Sequence, residues 1–182
     1  MKRKSNLFGA LLVSSLLFSS CSMMVKMMGM EDLMSAMENM DKMMAKSASE
    51  KRSYVKSKQS AALATGEKLF NDPLTGEGTN GLSCNSCHPS GTSTGGEAQI
   101  PMREYKIPIP SLVGASSSFP KYKIPNDAVI TLQQMNNNCM RMFMSGKGLD
   151  LNTPEAWSLE TYVASLSNGE TVQVGGMMSQ SQ

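Results

Sequence analysis

Cys84-Asn85-Ser86-Cys87-His88 is the stretch whose residue types and spacing point most directly to chemistry. Two thiols separated by two residues lie about one helical turn apart. That spacing suits thioether bonds to the two vinyl groups of one porphyrin, and C-x-x-C-H leaves the following imidazole to take the iron as proximal ligand. Two other chemistries use paired cysteines. A zinc site needs further Cys or His ligands at matching spacing, but the chain has four cysteines, one histidine and no second Cys pair. A redox dithiol needs a strand-helix-strand setting, whereas Gly78-Thr79-Asn80-Gly81 and Pro89-Ser90-Gly91 around the motif read as loop. The expectation is one covalent haem c per chain, held by Cys84, Cys87 and His88.

Since His88 is the only histidine, two histidines of one chain cannot hold the iron. The other axial ligand is left to Met, Cys, Lys, water or a residue of a partner. Met102 follows His88 by only fourteen residues, little chain with which to cross a porphyrin. Met135, Cys139 and Met142 recur at i, i+4 and i+7 in a helical segment, so they share a face. Any of the three can reach the iron. Methionine opposite histidine gives a high-potential carrier; a thiolate would lower the potential and give a site of different chemistry. The alternative is that Cys139 is a small apolar core residue and the methionines fill gaps.

Several elements must position these residues. A helix is expected over 59–70, with Ala62, Leu63, Leu69 and Phe70 on its apolar side, ended by Asn71-Asp72-Pro73. Pro101, Pro108, Pro110, Pro120 and Pro125 make long helices unfavourable over 89–125, which reads as loops wrapped around the porphyrin edge. Helical periodicity returns over 129–144, until Gly146 and Gly148. A last helix starts after Asn152 or Thr153 with Pro154 in its first turn, and runs through Trp157, Tyr162, Val163 and Leu166 to Asn168-Gly169. Residues 169–182 read as a disordered tail.

The N-terminal third is of another kind. Lys2-Arg3-Lys4, an apolar run over 7–18 and the small pair Ser19-Ser20 read as an export signal over 1–20. The run is short for a membrane span. Cys21 after two small residues resembles a bacterial lipoprotein signal, which implies lipidation of Cys21 and an anchor in a bilayer. Met23, Met27, Met30, Met34 and Met37 then recur at three- and four-residue steps among acids and lysines, the pattern of an amphipathic helix. Such a stripe can pack on a partner or membrane, lift the next domain from its anchor, or offer soft thioethers to Cu(I). Serines and lysines over 47–60 suggest a solvated linker or the start of the next helix, with a domain boundary near 58.

The order helix, C-x-x-C-H, loops, helix and aromatic-bearing last helix resembles the small class I cytochrome c domain over 59–168. That resemblance implies an all-α fold with long loops around one covalent haem, its first and last helices crossed so that Phe70 and Tyr162 approach. Within it, Asn137, Cys139, Met140, Met144, Gly146, Lys147 and Leu149 match an N-x-C-M-x-x-x-M-x-G-K-x-L run. This run, with Pro110-Ser111-Leu112 and Phe119-Pro120-Lys121-Tyr122 upstream, is similar to thiosulfate dehydrogenases and SoxA-type sulfur-oxidation cytochromes. The resemblance implies Cys139 as the distal ligand, and a reaction that joins two thiosulfates or conjugates a sulfur substrate to a carrier protein. Two features depart from it. Those proteins often carry a second haem domain, and this sequence has one C-x-x-C-H. Thiosulfate dehydrogenases usually have Arg three residues after the cysteine; here Met142 stands there and Arg141 precedes it. Lys147 and Arg103 are the candidates for positive charge beside a sulfur anion.

Charge narrows the partners. The formal charge of the whole chain is +2, but without Lys2, Arg3 and Lys4 its 17 basic residues fall to 14 against 15 acids, a net of −1. A near-neutral chain offers nothing to nucleic acid. The expected function is one-electron transfer by an exported c-type cytochrome of a bacterial cell envelope, lipid-anchored and facing the periplasm or cell surface, with redox proteins as partners. The alternative is a haem enzyme or subunit that oxidises thiosulfate or a related sulfur anion.

Overall fold

A computed structural model describes residues 30–172, 174 and 175 of the chain. The expected signal over 1–20, Cys21, Met23, Met27 and most of the expected tail lie outside the described residues. The described chain falls into two units, divided between Val55 and Lys56.

In the first unit, α1 (Met30–Met44) is the expected amphipathic helix. Met30, Leu33, Met34, Met37, Met40 and Met44 form its apolar stripe and all are exposed. Glu38 and Lys42 pair across one turn of the polar side at 2.7 Å. A second helix, α2 (Ala48–Asn71), begins well before residue 59, so the stretch left open between linker and helix start is helix. Ser47 starts it: the Ser47 N–H donates to the Glu50 carboxylate at 2.8 Å, and the Glu50 N–H donates back to the Ser47 hydroxyl at 3.3 Å. Ser47-x-x-Glu50 is a capping box, a start signal that the serine-rich composition obscured.

The second unit is built on the crossing of the C-terminal part of α2 with the last helix, here α6 (Pro154–Ser165). Thr153 caps α6 and Pro154 opens it. At the crossing the Phe70 and Tyr162 rings stack tilted, with centroids 5.2 Å apart. Gly66 makes the approach possible, since a Cβ there would lie 2.0 Å from the Ser158 carbonyl oxygen. Between these helices come the one-turn helices α3 (Cys84–Cys87) and α4 (Ala115–Ser118), then α5 (Leu132–Phe143). The chain is predominantly helical. The expected loops differ in containing two three-residue antiparallel ladders. One pairs β1 (Glu97–Gln99) with β2 (Lys106–Pro108), the other β3 (Lys121–Lys123) with β4 (Ala128–Ile130). The second ladder takes Val129 and Ile130 out of the helix expected from residue 129, because Thr131 is the helix cap. Its hydroxyl accepts from the Gln134 N–H, and the Gln134 side chain accepts from the Thr131 N–H at 2.9 Å. The described part of the tail is tied down at one point, where the Gly175 N–H donates to the Ser118 carbonyl at 2.9 Å.

Candidate haem-binding site

Short-range hydrogen bonds fold Cys84 to His88 into one tight turn. The Ser83 hydroxyl accepts from the Ser86 N–H at 3.3 Å, and the Ser86 hydroxyl accepts from the Ser83 N–H at 3.0 Å. This reciprocal cap starts α3. The His88 N–H closes the turn on the Cys84 carbonyl at 2.8 Å. Asn85 then holds the exit, its Oδ1 accepting the Ser90 N–H at 2.7 Å.

The imidazole is oriented from a distant loop. His88 Nδ1 lies 2.8 Å from the Pro110 carbonyl oxygen. A carbonyl only accepts, so Nδ1 carries the proton and Nε2 keeps its lone pair. Burial pulls the ring below the usual histidine range, against the smaller upward pull of the Pro110 bond. The ring is therefore neutral at neutral pH, as a metal ligand must be.

A cleft lies beside this turn. Counted out through its open mouth, it spans about 980 Å³. Its walls are mostly apolar: Phe70, Ile107, Ile109, Leu112, Phe119, Leu159 and Val163 are among them. Cys84, Cys87 and His88 line it from the motif. Met135, Asn136, Cys139 and Phe143 line it from α5.

The two groups of residues are held together through the loop that precedes the motif. The Thr79 N–H donates to the Met144 carbonyl at 3.0 Å, and Asn80 Nδ2 to the Phe143 carbonyl at 2.7 Å. The Gly76 carbonyl accepts from the N–H groups of Lys147 and Gly148. Asn137 secures the far side of the same turn, with Nδ2 on the Leu149 carbonyl at 2.7 Å and Oδ1 on the Leu149 N–H at 2.9 Å. The C-terminal end of α5 is thus fastened to the approach to C-x-x-C-H.

The thiols are strongly affected by their surroundings. Burial pushes Cys139 up to about 11, with Cys87 adding to the effect and Lys123 opposing it. Burial pushes Cys84 up to about 12, with Cys139 contributing. All three thiols line the same cleft. Cys84, Cys87 and Cys139 form no disulfide.

Of the expected site residues, Cys84, Cys87, His88, Cys139 and Met135 come together at the cleft. Met142 does not line it, and Met102 is 92% exposed. The cations expected to serve a bound anion are elsewhere. Lys147 pairs with Glu77 at 2.7 Å on the surface, and Arg103 Nη1 donates to the Met102 carbonyl at 3.0 Å. Arg141 Nε donates to the Lys147 carbonyl at 2.8 Å. The cation that lines the cleft is Lys123. It stands with Lys121 over the Phe119 ring, at 5.6 and 4.8 Å from the centroid. Lys121 is buried and donates to the Ser118 hydroxyl at 2.9 Å. The signal for Lys123 was its place in the Lys121-Tyr122-Lys123 alternation, which puts both lysines on one face of a strand. Asn136 was not singled out either, since the first of three asparagines in a row has no pattern to mark it.

These surroundings fit a porphyrin. The walls are apolar, the neutral imidazole has its Nε2 lone pair available, and two thiols lie at C-x-x-C spacing. One buried donor, Asn136 Nδ2, also lacks a partner among the described residues.

Comparisons with known proteins agree with this site. The thiosulfate dehydrogenase of Allochromatium vinosum is 30% identical to this chain over 99 residues. That stretch is 54% of this chain but 33% of the relative, so the match spans about a third of the relative's length. The family model described as the SoxA/TsdA cytochrome c domain matches residues 65–172. That range contains the motif turn, the Pro110 carbonyl, α5 and α6, every part that builds the cleft, and the chain belongs to the SoxA/TsdA cytochrome c domain family, whose domain implies covalently bound haem c.

Proposed function

We propose that this protein is an exported, lipid-anchored cytochrome that carries one haem c per chain and passes single electrons between redox proteins of a bacterial cell envelope. When bound, the haem supplies a one-electron iron couple. The residues of the chain do the rest. Cys84 and Cys87 form the thioethers and His88 Nε2 takes the iron. Pro110 fixes the ring by accepting from Nδ1. Cys139 supplies the distal sulfur; of the methionines expected as alternatives on α5, Met135 shares the cleft wall and Met142 does not. The apolar walls exclude water from the site. The observation that carries this reading is that one cleft gathers the C-x-x-C-H residues and Cys139 from segments about fifty residues apart in sequence. Because burial holds the Cys139 thiol near 11, it becomes a thiolate at neutral pH only under the positive charge of a metal, which deprotonates a coordinating thiol outright.

Absorption and EPR spectra of the ferric protein beside Cys139→Ala test the assignment. Loss of a low-spin thiolate signature in the variant supports Cys139. The weak far-red band of methionine-ligated haem, surviving in the variant, would move the assignment to Met135. For the anchor, Cys21→Ala is expected to move the protein from the membrane fraction to the soluble one. Retention in the membrane would remove lipidation from the reading. Among the described residues no helix is long and apolar enough to cross a membrane.

A second reading is favoured by the relative's printed activity and by Lys123 at the cleft. It is oxidation of thiosulfate or a related sulfur anion, the electrons passing on to a separate acceptor protein. Lys123 is the charge available to attract the anion, since Arg141 and Lys147 are engaged elsewhere. Turnover of thiosulfate with an electron acceptor, abolished in Cys139→Ala and raised in KM by Lys123→Gln, would establish the enzyme. No turnover by protein with an intact thiolate spectrum leaves the carrier.

A further inference from the structure

Three consecutive asparagines in the middle of α5 need a reason, because Asn is a poor helix former with a side chain that competes for the backbone. Two of them have one. Asn137 binds the Leu149 backbone through both ends of its amide. Asn138 Nδ2 donates to Asn126 Oδ1 at 2.6 Å. Asn136 has no such role: its Nδ2 is buried and without a partner among the described residues. A buried donor left unmet costs free energy, and sites that keep one call for an explanation.

The place of Asn136 supplies that explanation. It lines the cleft, one helical turn before Cys139, which lines it too. Residues at i and i+3 are neighbours on a helix surface. Helical side chains lean toward the N-terminus, so Cys139 lies over the turn that carries Asn136. Of the other polar groups of the cleft, the Ser83 hydroxyl is engaged in its cap and His88 Nδ1 on Pro110, while Lys123 stands over the Phe119 ring and acts on Cys139 through its charge. A neutral thiol is a weak acceptor, whereas a thiolate accepts strongly.

We propose that Asn136 is a positioning residue: its amide N–H donates to the sulfur of Cys139 when that sulfur holds the iron, and so raises the reduction potential. The inference rests on Cys139 being the distal ligand. A donor on the thiolate withdraws charge from the sulfur, which favours the ferrous state. It also fixes the direction from which the sulfur approaches. Hydrogen bonds to a ligating sulfur are a general means of tuning such centres.

The test measures midpoint potentials and ferric EPR spectra of the haem-loaded full chain. Asn136→Leu removes the donor while keeping the branching of the side chain, and Asn136→Ala removes it without added bulk should the leucine variant fail to mature. Both are expected to lower the potential and shift the g-values while the thiolate signature remains. Asn136→Gln, which keeps an amide, is expected to recover part of the shift. The same Asn136 substitutions in a Cys139→Met background should leave the potential unmoved, because the acceptor is gone. Wild-type potential and g-values in both donor-less variants overturn the proposal. So does an equal drop in the Cys139→Met background, which would put the donor on the porphyrin rim. A wild type without a thiolate signature fails earlier and differently, by removing the ligand assignment itself.

Discussion

Asn137 shows how much geometry one side chain can set. It is buried, and both ends of its amide are used on Leu149. Gly148 must be glycine beside it: its φ is +89°, and a Cβ would lie 2.9 Å from Asn137 Cγ. Asn137→Ala leaves a backbone N–H and C=O of Leu149 without partners. The expected loss is about 1–3 kcal/mol, read as a lower denaturant midpoint of the haem-loaded protein. A change within about 0.5 kcal/mol, the range of neutral surface substitutions, would contradict this account. Asn137 could be matched in sequence as part of a motif, but its partner twelve residues on could not be read from the motif. Cys139 and Met142 teach the same lesson at closer range. Helical spacing put them on one side of α5, yet the cleft takes Cys139 and leaves Met142 outside. The width of a helix face that meets a cavity depends on how neighbouring elements close over it, and spacing does not carry that information.

At the scale of elements, the crossing of α2 and α6 depends on Gly66. Within an exposed helix Gly→Ala would gain roughly 0.5–1 kcal/mol. Here the new Cβ would meet the Ser158 carbonyl oxygen at 2.0 Å and Tyr162 Cβ at 2.6 Å, so the backbones must separate. Overpacking of this kind costs about 1–3 kcal/mol, and the net sign is destabilising. Gly66→Ala is expected to lower the melting temperature of the haem-loaded protein and to disturb the Phe70–Tyr162 contact seen in its near-ultraviolet circular dichroism. A raised melting temperature would mean that the helices do not cross at Gly66. The helices themselves were largely legible because caps and prolines are local: Pro154 after Thr153 marked α6. Composition left the stretch over 47–60 open between linker and helix start, and Ser47 with Glu50 carried the signal for the helix. The short ladders were not legible at all, since three-residue strands have too little alternation to rise above the prolines around them.

Over the whole haem-binding unit, the core and the cleft wall are largely the same residues. Of the eleven buried apolar residues among those described, eight also line the cleft: Phe70, Ile109, Ala115, Phe119, Leu132, Met144, Leu159 and Val163. A unit built this way buries its core on the cofactor, and a chain with only 5% aromatic residues has little else large to bury. Replacing both Cys84 and Cys87 by Ala, which prevents covalent attachment, is therefore expected to abolish a cooperative thermal transition and to flatten the near-ultraviolet circular dichroism. Retention of a sharp transition in the double variant, purified free of haem, would show that the apolar walls close on each other instead. The expectation applies to residues 56–172; the exposed methionine stripe of α1 belongs to the other unit.

The sequence by itself pointed to the haem chemistry, because C-x-x-C-H is a local pattern whose neighbouring residues offer two thiols and an imidazole at the spacing a c-type haem takes. It also marked the start of α6 at Thr153-Pro154, and through the run from Asn137 to Leu149 the family to which the domain belongs. Only the tertiary structure decided which carbonyl orients His88, which face of α5 meets the cleft, and that Lys123 lies beside it while Lys147 and Arg103 do not. Each of these joins residues separated by tens of positions. Such pairings depend on how helices cross and how loops return, and nothing in the order of neighbouring side chains encodes them one at a time.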